Sequence, residues 1–407
     1  MKIAYLPLDD RPCTSRFPRR LGAIAGVAVE SPAVDPYNPD SEGVRLWLLG
    51  EGEHAKVISV DMLAYGGLVP SREILTPFEE CADTISFLPE ITETSSVYLF
   101  HSIMRLSPTI RSPGDGELAE SLRRHWQGEK VELPPGCLER YLAIRKRNFA
   151  LNCEILRQHR RKPYSYLIFC SDDTAPYGPA AAERKELEKS FEGPGMILPG
   201  ADETGMLLLT RAILDERACR FKVCPLFFPD DSRRVITKYE DRTLEDLVGR
   251  QIEASGAVAG KDGDLYLLVS GPLGSQKEAL FQERGPETQA LCASLAEKAR
   301  TLLGAGKLAA IADVRYANGA DKELVSRLRE EVPLHTLASY AAWNTTGNST
   351  GTALAHGLCR RLGLSLPPGP LRTRAERSHR EFLMERFMDD WAYQSIVRPE
   401  INDLLQK

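Results

Sequence analysis

Short apolar runs recur along the chain, and most end in a small cluster of polar or Gly/Pro residues. They occupy residues 2–8, 57–60, 97–100, 166–170, 196–198, 221–228, 265–269, 308–312 and 334–337, with a further short run at 27–29. They do not strictly alternate, which is how strands buried on both faces read in parallel sheets. Between them lie segments rich in Leu, Ala, Glu, Lys and Arg, at 138–160, 180–191, 244–253 and 288–303, which predict helices. Strand alternating with helix implies repeated βαβ units and an α/β fold.

Nine or ten strands fit a (β/α)8 TIM-like barrel with extra C-terminal helices. The alternative is two doubly wound, Rossmann-like α/β domains, joined near residues 216–220 or 256–263. In the barrel reading, residues 1–370 form the body and 371–407 a helical extension. There, Phe382, Leu383, Phe387 and Trp391 are spaced as on the apolar face of amphipathic helices.

With 43% hydrophobic and 27% charged residues in 407, the chain has enough apolar material for a large core. A net charge of −5 and the lack of a basic stripe with interleaved aromatics argue against nucleic acid as a partner. The basic residues between Arg16 and Arg20, and between Arg157 and Lys162, read as solvated surface or helix ends. No apolar stretch is long enough to span a membrane, and residues 1–7 lack the pattern of a signal peptide. The nine cysteines are scattered, with no CxxC pair. That predicts free thiols in a cytoplasmic protein, not a disulfide framework or zinc site.

The candidate chemistry follows the strands. In α/β folds ligands bind at the carboxyl ends of the strands, and polar residues fall there repeatedly. Asp172-Asp173 comes directly after the run at 166–170. Two adjacent carboxylates repel when both are ionised, which raises one pKa and prepares that group as a general acid. The other reading is an N-cap for the following helix. Asp9-Asp10-Arg11 follows the first strand, either as an ion pair or as a clamp on substrate hydroxyls. Asp61 and Tyr65 precede Gly66-Gly67, which suits close approach of the backbone to a ligand, or a turn. His101 reads as a general base, a metal ligand or a hydrogen-bonded structural residue. Asp202-Glu203 either caps a helix or binds hydroxyls.

Asp313, Tyr316, Asn318 and Asp321 cluster after the run at 308–312 as a polar pocket wall, although Asn318-Gly319 is also a turn signal. Trp343, Asn344 and Asn348 lie in a stretch of amides, hydroxyls and glycines that suits a sugar. The indole face would pack on the ring while the amides bond hydroxyls. A buried Trp beside a helix N-cap is the alternative. The sequence lacks GxGxxG, GxxxxGK[ST], HExxH and GxSxG, so dinucleotide, Walker-type, zincin and serine-hydrolase sites are not indicated.

The segments YLPLDDRP, SVDMLAYGGLV, SDDTAPYG, GADE, YANGAD and WNTTGNSTGTALA resemble a bacterial family known only as domain of unknown function 4127. They run from residue 5 to about residue 355. The pair Asp172-Asp173 also resembles the catalytic pair of substrate-assisted β-N-acetylhexosaminidases, which follows the fourth barrel strand. Here it follows the fourth strong run, if the run at 27–29 is left out.

That resemblance implies a glycosidase acting on an amino-sugar glycoside without cofactor or metal. Asp172 would orient the substrate's acetamido group and Asp173 would serve as acid and base. Asp61, Tyr65, Trp343 and Asn344 would hold the ring. Two rivals stand beside it. Asp9, Asp10, Asp61, His101 and Asp173 would make an oxygen-rich Mg²⁺ or Mn²⁺ site of a hydrolase or phosphoryl-transfer enzyme. A carbohydrate-binding protein without turnover is the other.

Overall fold

In the computed structural model, residues 1–34, 40–50, 55–109, 113–171 and 174–405 are described. They divide into two compact units, Met1–Phe17 with Val29–Leu208, and Pro18–Ala28 with Leu209–Lys407. In this division the segment after residue 370 goes with the second unit.

The first unit is built on strands β1 (Lys2–Leu6), β2 (Ala28–Glu30), β3 (Ala55–Ser59), β4 (Ser96–Ile103), β5 (Tyr166–Ser171) and β6 (Gly195–Pro199). They lie side by side in the order β2-β1-β3-β4-β5-β6. From β1 to β6 all neighbours are parallel. The register aligns Ser59 with Phe100, Ile103 with Ser171, and Ser171 with Pro199. Carboxyl ends of successive strands therefore share one edge. β3, β5 and nearly all of β4 are buried on both faces, hence their continuous apolar reading. The helix Cys137–Arg161 covers one face, setting Leu151, Ile155 and Leu156 in a core with Leu99, Leu167 and Phe169.

The second unit carries β7 (Lys222–Phe228), β8 (Val258–Ala259), β9 (Leu265–Ser270), β10 (Lys277–Glu278), β11 (Ala309–Asp313), β12 (Tyr316–Ala317) and β13 (Ser339–Ala341). Five of them form a parallel sheet in the order β13-β11-β9-β7-β8, and β10 pairs with β12 in a separate two-stranded sheet. The helix Thr346–Leu364 lies close on this sheet because Gly357 has no side chain. A Cβ there would sit 2.7 Å from Leu265 Cδ2.

Each sheet starts from an inner strand, adds the second strand on one side and the rest on the other. That is the doubly wound order, with a switch point between β1 and β3 in one unit and between β7 and β9 in the other. The described strands do not close a barrel. They form two open parallel sheets, and the two-domain alternative fits them. Because β2 is present, Asp172-Asp173 follows the fifth strand of its sheet, not a fourth.

Two local expectations also shift. The run at 334–337 forms a 3-10 turn after Pro333, and the strand comes later, at Ser339–Ala341. Gly66 is the left-handed C-cap of the helix Val60–Tyr65. Gly67 lets the backbone close on Leu8 and Asp9, so this pair serves a turn and packing. Phe382, Leu383 and Phe387 bury their side chains and Trp391 packs against that cluster, as amphipathic spacing predicts. All nine cysteines are free thiols. Among the described residues no helix is long and apolar enough to cross a membrane.

Candidate functional site

The loop after β1 is built around Asp9. Its Oδ1 accepts from the Thr14 hydroxyl at 2.5 Å and from the Arg11 amide at 3.2 Å. Its Oδ2 accepts from Arg11 Nε at 2.9 Å and Nη2 at 2.6 Å. The same guanidinium donates to both oxygens of Asp202, at 3.0 and 2.6 Å. Arg11 thus joins the loop after β1 to the loop after β6, while its side chain stays 45% exposed. The planar fork of Arg suits this arrangement, meeting both oxygens of Asp202 and one of Asp9, which Lys could not hold together. Asp10 beside it is exposed. Cys13 sits in the first turn of the helix Pro12–Ala25. Burial and the Asp202 charge push its thiol up to about 12, so it is no thiolate nucleophile at neutral pH.

Asp61 opens the helix Val60–Tyr65 and is wholly buried. Its Oδ2 accepts from the Ser102 amide at 2.9 Å, and its Oδ1 accepts a short bond from the Ser102 hydroxyl. His101 lies within β4, which runs on to Ile103, so it is not the strand-end residue the sequence suggested. Its Nδ1 meets Asn152 Oδ1 at 2.5 Å. Since a carbonyl oxygen only accepts, the proton sits on Nδ1 and Nε2 is left as an acceptor. That Nε2 lies 3.9 Å from Asp61 Oδ1. Burial pushes the His101 pKa down, against the pull of Asp61, and keeps the ring neutral.

Tyr65 is buried under the Arg147 guanidinium, 4.4 Å from its ring centre, and its ring is 5.9 Å from that of His101. These residues form one buried polar cluster in the core of the first unit. Glu203 is fully buried as well, and Gly200 makes room for it: a Cβ there would lie 2.2 Å from Glu203 Oε1. Asp172 and Asp173 lie outside the described residues.

In the second unit, Asp313 ends β11. Its Oδ2 accepts from the Asp321 amide at 2.8 Å and the Tyr340 hydroxyl at 3.0 Å. Burial and the nearby Asp321 charge raise its pKa. Asp321 caps the helix Lys322–Glu331, and its Oδ2 is 2.8 Å from Arg315 Nε. The Tyr316 hydroxyl accepts from the Glu283 amide at 3.1 Å. Asn318 adopts a left-handed turn with φ 62° and donates to Glu278 at 2.8 Å.

Trp343 is half-buried, and its Nε1 donates to the Thr352 hydroxyl at 3.1 Å. Asn344 is exposed, with φ 52°, and donates to Asn348 Oδ1 at 2.7 Å. Asn348 completes a capping box with Thr345 at the start of the helix Thr346–Leu364. Here the side chains of Trp343, Asn348 and Asp321 all serve caps or internal bonds.

The family model described as Protein of unknown function (DUF4127) matches residues 3–407, which takes in both units. The chain belongs to the DUF4127 family. No match to it was found among curated proteins or among solved structures. In this DUF4127 chain, the sequence-predicted residues of the first unit form two groups. Asp9, Arg11 and Asp202 are joined at the partly exposed edge, and Asp61, Tyr65 and His101 are joined in the core. Of the proposed metal ligands, Asp9 and Asp61 spend their oxygens on protein donors. Among the described residues no group of three His, Cys, Asp or Glu is placed to hold an ion.

Sequence reasoning missed Thr14, five residues after the Asp9 it bonds, and Ser102, Asn152 and Arg147, which meet these groups from distant elements and carry no local signal. It also missed Glu240, whose Oε1 accepts from the Gly347 amide at 2.8 Å and whose carboxyl burial pushes up to about 8. In the charged run Lys238-Tyr239-Glu240-Asp241 it reads as surface. Arg315, two residues after Asp313, was open to discovery: an Arg at a strand end between two aspartates marks a buried ion pair.

Proposed function

We propose that the chain is a retaining glycosidase acting on β-linked 2-acetamido sugars, with Asp172 and Asp173 as its catalytic pair. One observation supports this above the others. The pair directly follows Ser171, the last residue of β5, whose neighbours β4 and β6 end at the same sheet edge. That edge is where doubly wound folds bind ligands. Asp202 and Asp10 there have oxygens able to accept sugar hydroxyls. A carboxylate oxygen takes two hydrogens, so the Arg11 fork leaves Asp202 room for more.

The reaction balances within the substrate, the pair and one water. The acetamido oxygen attacks the anomeric carbon while the glycosidic C–O bond breaks. Asp173 gives its proton to the leaving oxygen, and Asp172 accepts a hydrogen bond from the acetamido N–H. Water then attacks the same carbon, Asp173 takes its proton, and the acetamido group is restored. The charge on Asp172 keeps Asp173 protonated for the first step.

The test is hydrolysis of aryl N-acetylglucosaminides and N-acetylgalactosaminides against their 2-hydroxy counterparts, with and without EDTA. We expect turnover of the acetamido sugars alone, indifferent to EDTA, and a loss of about 10²–10⁴-fold for Asp173→Asn. Full turnover by Asp173→Asn would falsify the assignment.

A further inference from the structure

An apolar cavity opens among the C-terminal helices of the second unit. It measures about 350 Å³ and is walled by Val325, Leu334, Leu383, Phe387, Met388 and Trp391. The helices Lys322–Glu331 and Pro370–Arg386 supply two of its walls. A third is the π-helix Phe387–Val397, at whose end the Arg398 amide donates to the Tyr393 carbonyl five residues back. Such turns are rare and recur at functional sites. Apolar surface of this kind, left open to water, marks a place where something binds.

Charge at the rim says what kind of ligand. Arg329 and Arg380 both line the cavity and are exposed, and no Asp or Glu lines it. Arg329 lies over the Trp391 ring, 5.2 Å from its centre. Neighbouring arginines on the same helices are neutralised: Arg327 by Glu331, Arg377 by Glu381 and Arg386 by Asp390. Arg329 and Arg380 have no carboxylate partner among the described residues. The fold thus leaves two free cations beside carbon walls.

We propose that this cavity binds a fatty acid, its acyl chain against the apolar walls and its carboxylate at Arg329 and Arg380. Each methylene taken out of water adds to binding, and guanidinium meets a carboxylate with paired donors. Met384 and Met388 also line the cavity, and methionine adapts to a chain of no fixed shape. The volume lies near the small end of the about 300–1,000 Å³ usual for small-molecule pockets, which suits one chain rather than the two of a phospholipid. A second copy of the protein is the poorer occupant. A two-fold contact sets the same patch on both copies, and so brings Arg329 and Arg380 toward their own images.

Isothermal titration of the full chain tests this, with dodecanoate, decanoate, dodecanol and dodecyltrimethylammonium below their micelle concentrations. The expected result is saturable binding of dodecanoate. Decanoate should bind about 15-fold more weakly, at about 4-fold per methylene. Dodecanol should bind more weakly than dodecanoate, and the ammonium weakest. The double variant Arg329→Gln/Arg380→Gln should weaken dodecanoate by about 10-fold, about 3-fold for each exposed charge, and leave dodecanol unchanged. Met388→Glu, at a position 59% exposed where the fold tolerates it, should weaken dodecanoate by about 10-fold or more by setting a charge in the apolar wall. The proposal is overturned if dodecanoate does not saturate, if dodecanol binds as tightly in the wild type, or if the double variant keeps the preference for the carboxylate. A dimer in sedimentation that Met388→Glu splits would also overturn it, since a second copy would then fill the cavity. The readout is independent of glycoside turnover.

Discussion

Replacing Asp61 by Ala separates a core-organising carboxylate from a substrate-binding one. The carboxylate is wholly buried and holds two donors of Ser102, the amide at 2.9 Å and the hydroxyl. Truncation strands both in the core, and each stranded donor costs about 1–3 kcal/mol. Removing the buried charge relieves its own desolvation and returns part of that. The net loss for Asp61→Ala is about 2–4 kcal/mol. Asp61→Asn keeps one acceptor oxygen for the amide and can turn its NH₂ toward the Ser102 hydroxyl, so it should lose only about 1 kcal/mol. Urea unfolding followed by far-UV circular dichroism gives the two losses. Hydrogen exchange of the peptide covering Ser96–Ile103 shows whether the Ser102 amide loses protection. A loss under about 0.5 kcal/mol for Asp61→Ala, the size of an ordinary surface change, would refute the reasoning. Loss of activity with unchanged stability in both variants would point to substrate contact instead.

Other expectations follow from buried groups elsewhere. His356 Nε2 and His379 Nδ1 meet at 2.9 Å, both rings buried. Burial holds His356 well below the usual imidazole range and His379 down at about 3. The folded state thus binds fewer protons than the unfolded one below pH ~6.5, so their contribution is full above that pH and is lost as pH falls toward 3. His379→Asn should reduce the slope of stability between pH ~6 and ~4.5 by about 1.4 kcal/mol per pH unit; an unchanged slope in pH-dependent urea titrations counts against this. Gly205→Ala would place a Cβ 2.2 Å from the Tyr5 hydroxyl, which donates to the Thr14 carbonyl at 2.8 Å. Overpacking of this kind costs about 1–3 kcal/mol, seen as a lowered thermal midpoint, and a variant as stable as wild type would mean Tyr5 can move freely.

The sequence by itself determined the elements. Continuous apolar runs such as 166–170 and 265–269 read as strands covered on both faces, and all ten runs found a strand in or just after them. The long helices at 138–160 and 288–303 were equally readable, because richness in Leu, Ala, Glu, Lys and Arg is a local signal of helix. What the runs could not carry was closure. A barrel and a doubly wound sheet are assembled from the same βαβ unit, and only strand order separates them. Strand order is set by which hydrogen-bonded edges meet across tens of residues, as β1 pairs with β3 over a gap that local pattern does not span.

The site divides along the same line. Strand-end polar residues were legible because polar groups inside a doubly covered strand are costly, so Asp9, Asp202 and Asp313 stand out where runs stop. Their partners were not. Arg11 holds Asp202 across 191 positions, Ser102 satisfies Asp61 across 41, and Asn152 fixes the His101 tautomer across 51. Whether a polar side chain faces a ligand or is spent on its own fold depends on those distant donors. The tertiary structure alone decided that Asp61, Tyr65 and His101 belong to the core, while Arg11 and Asp202 stay at the edge.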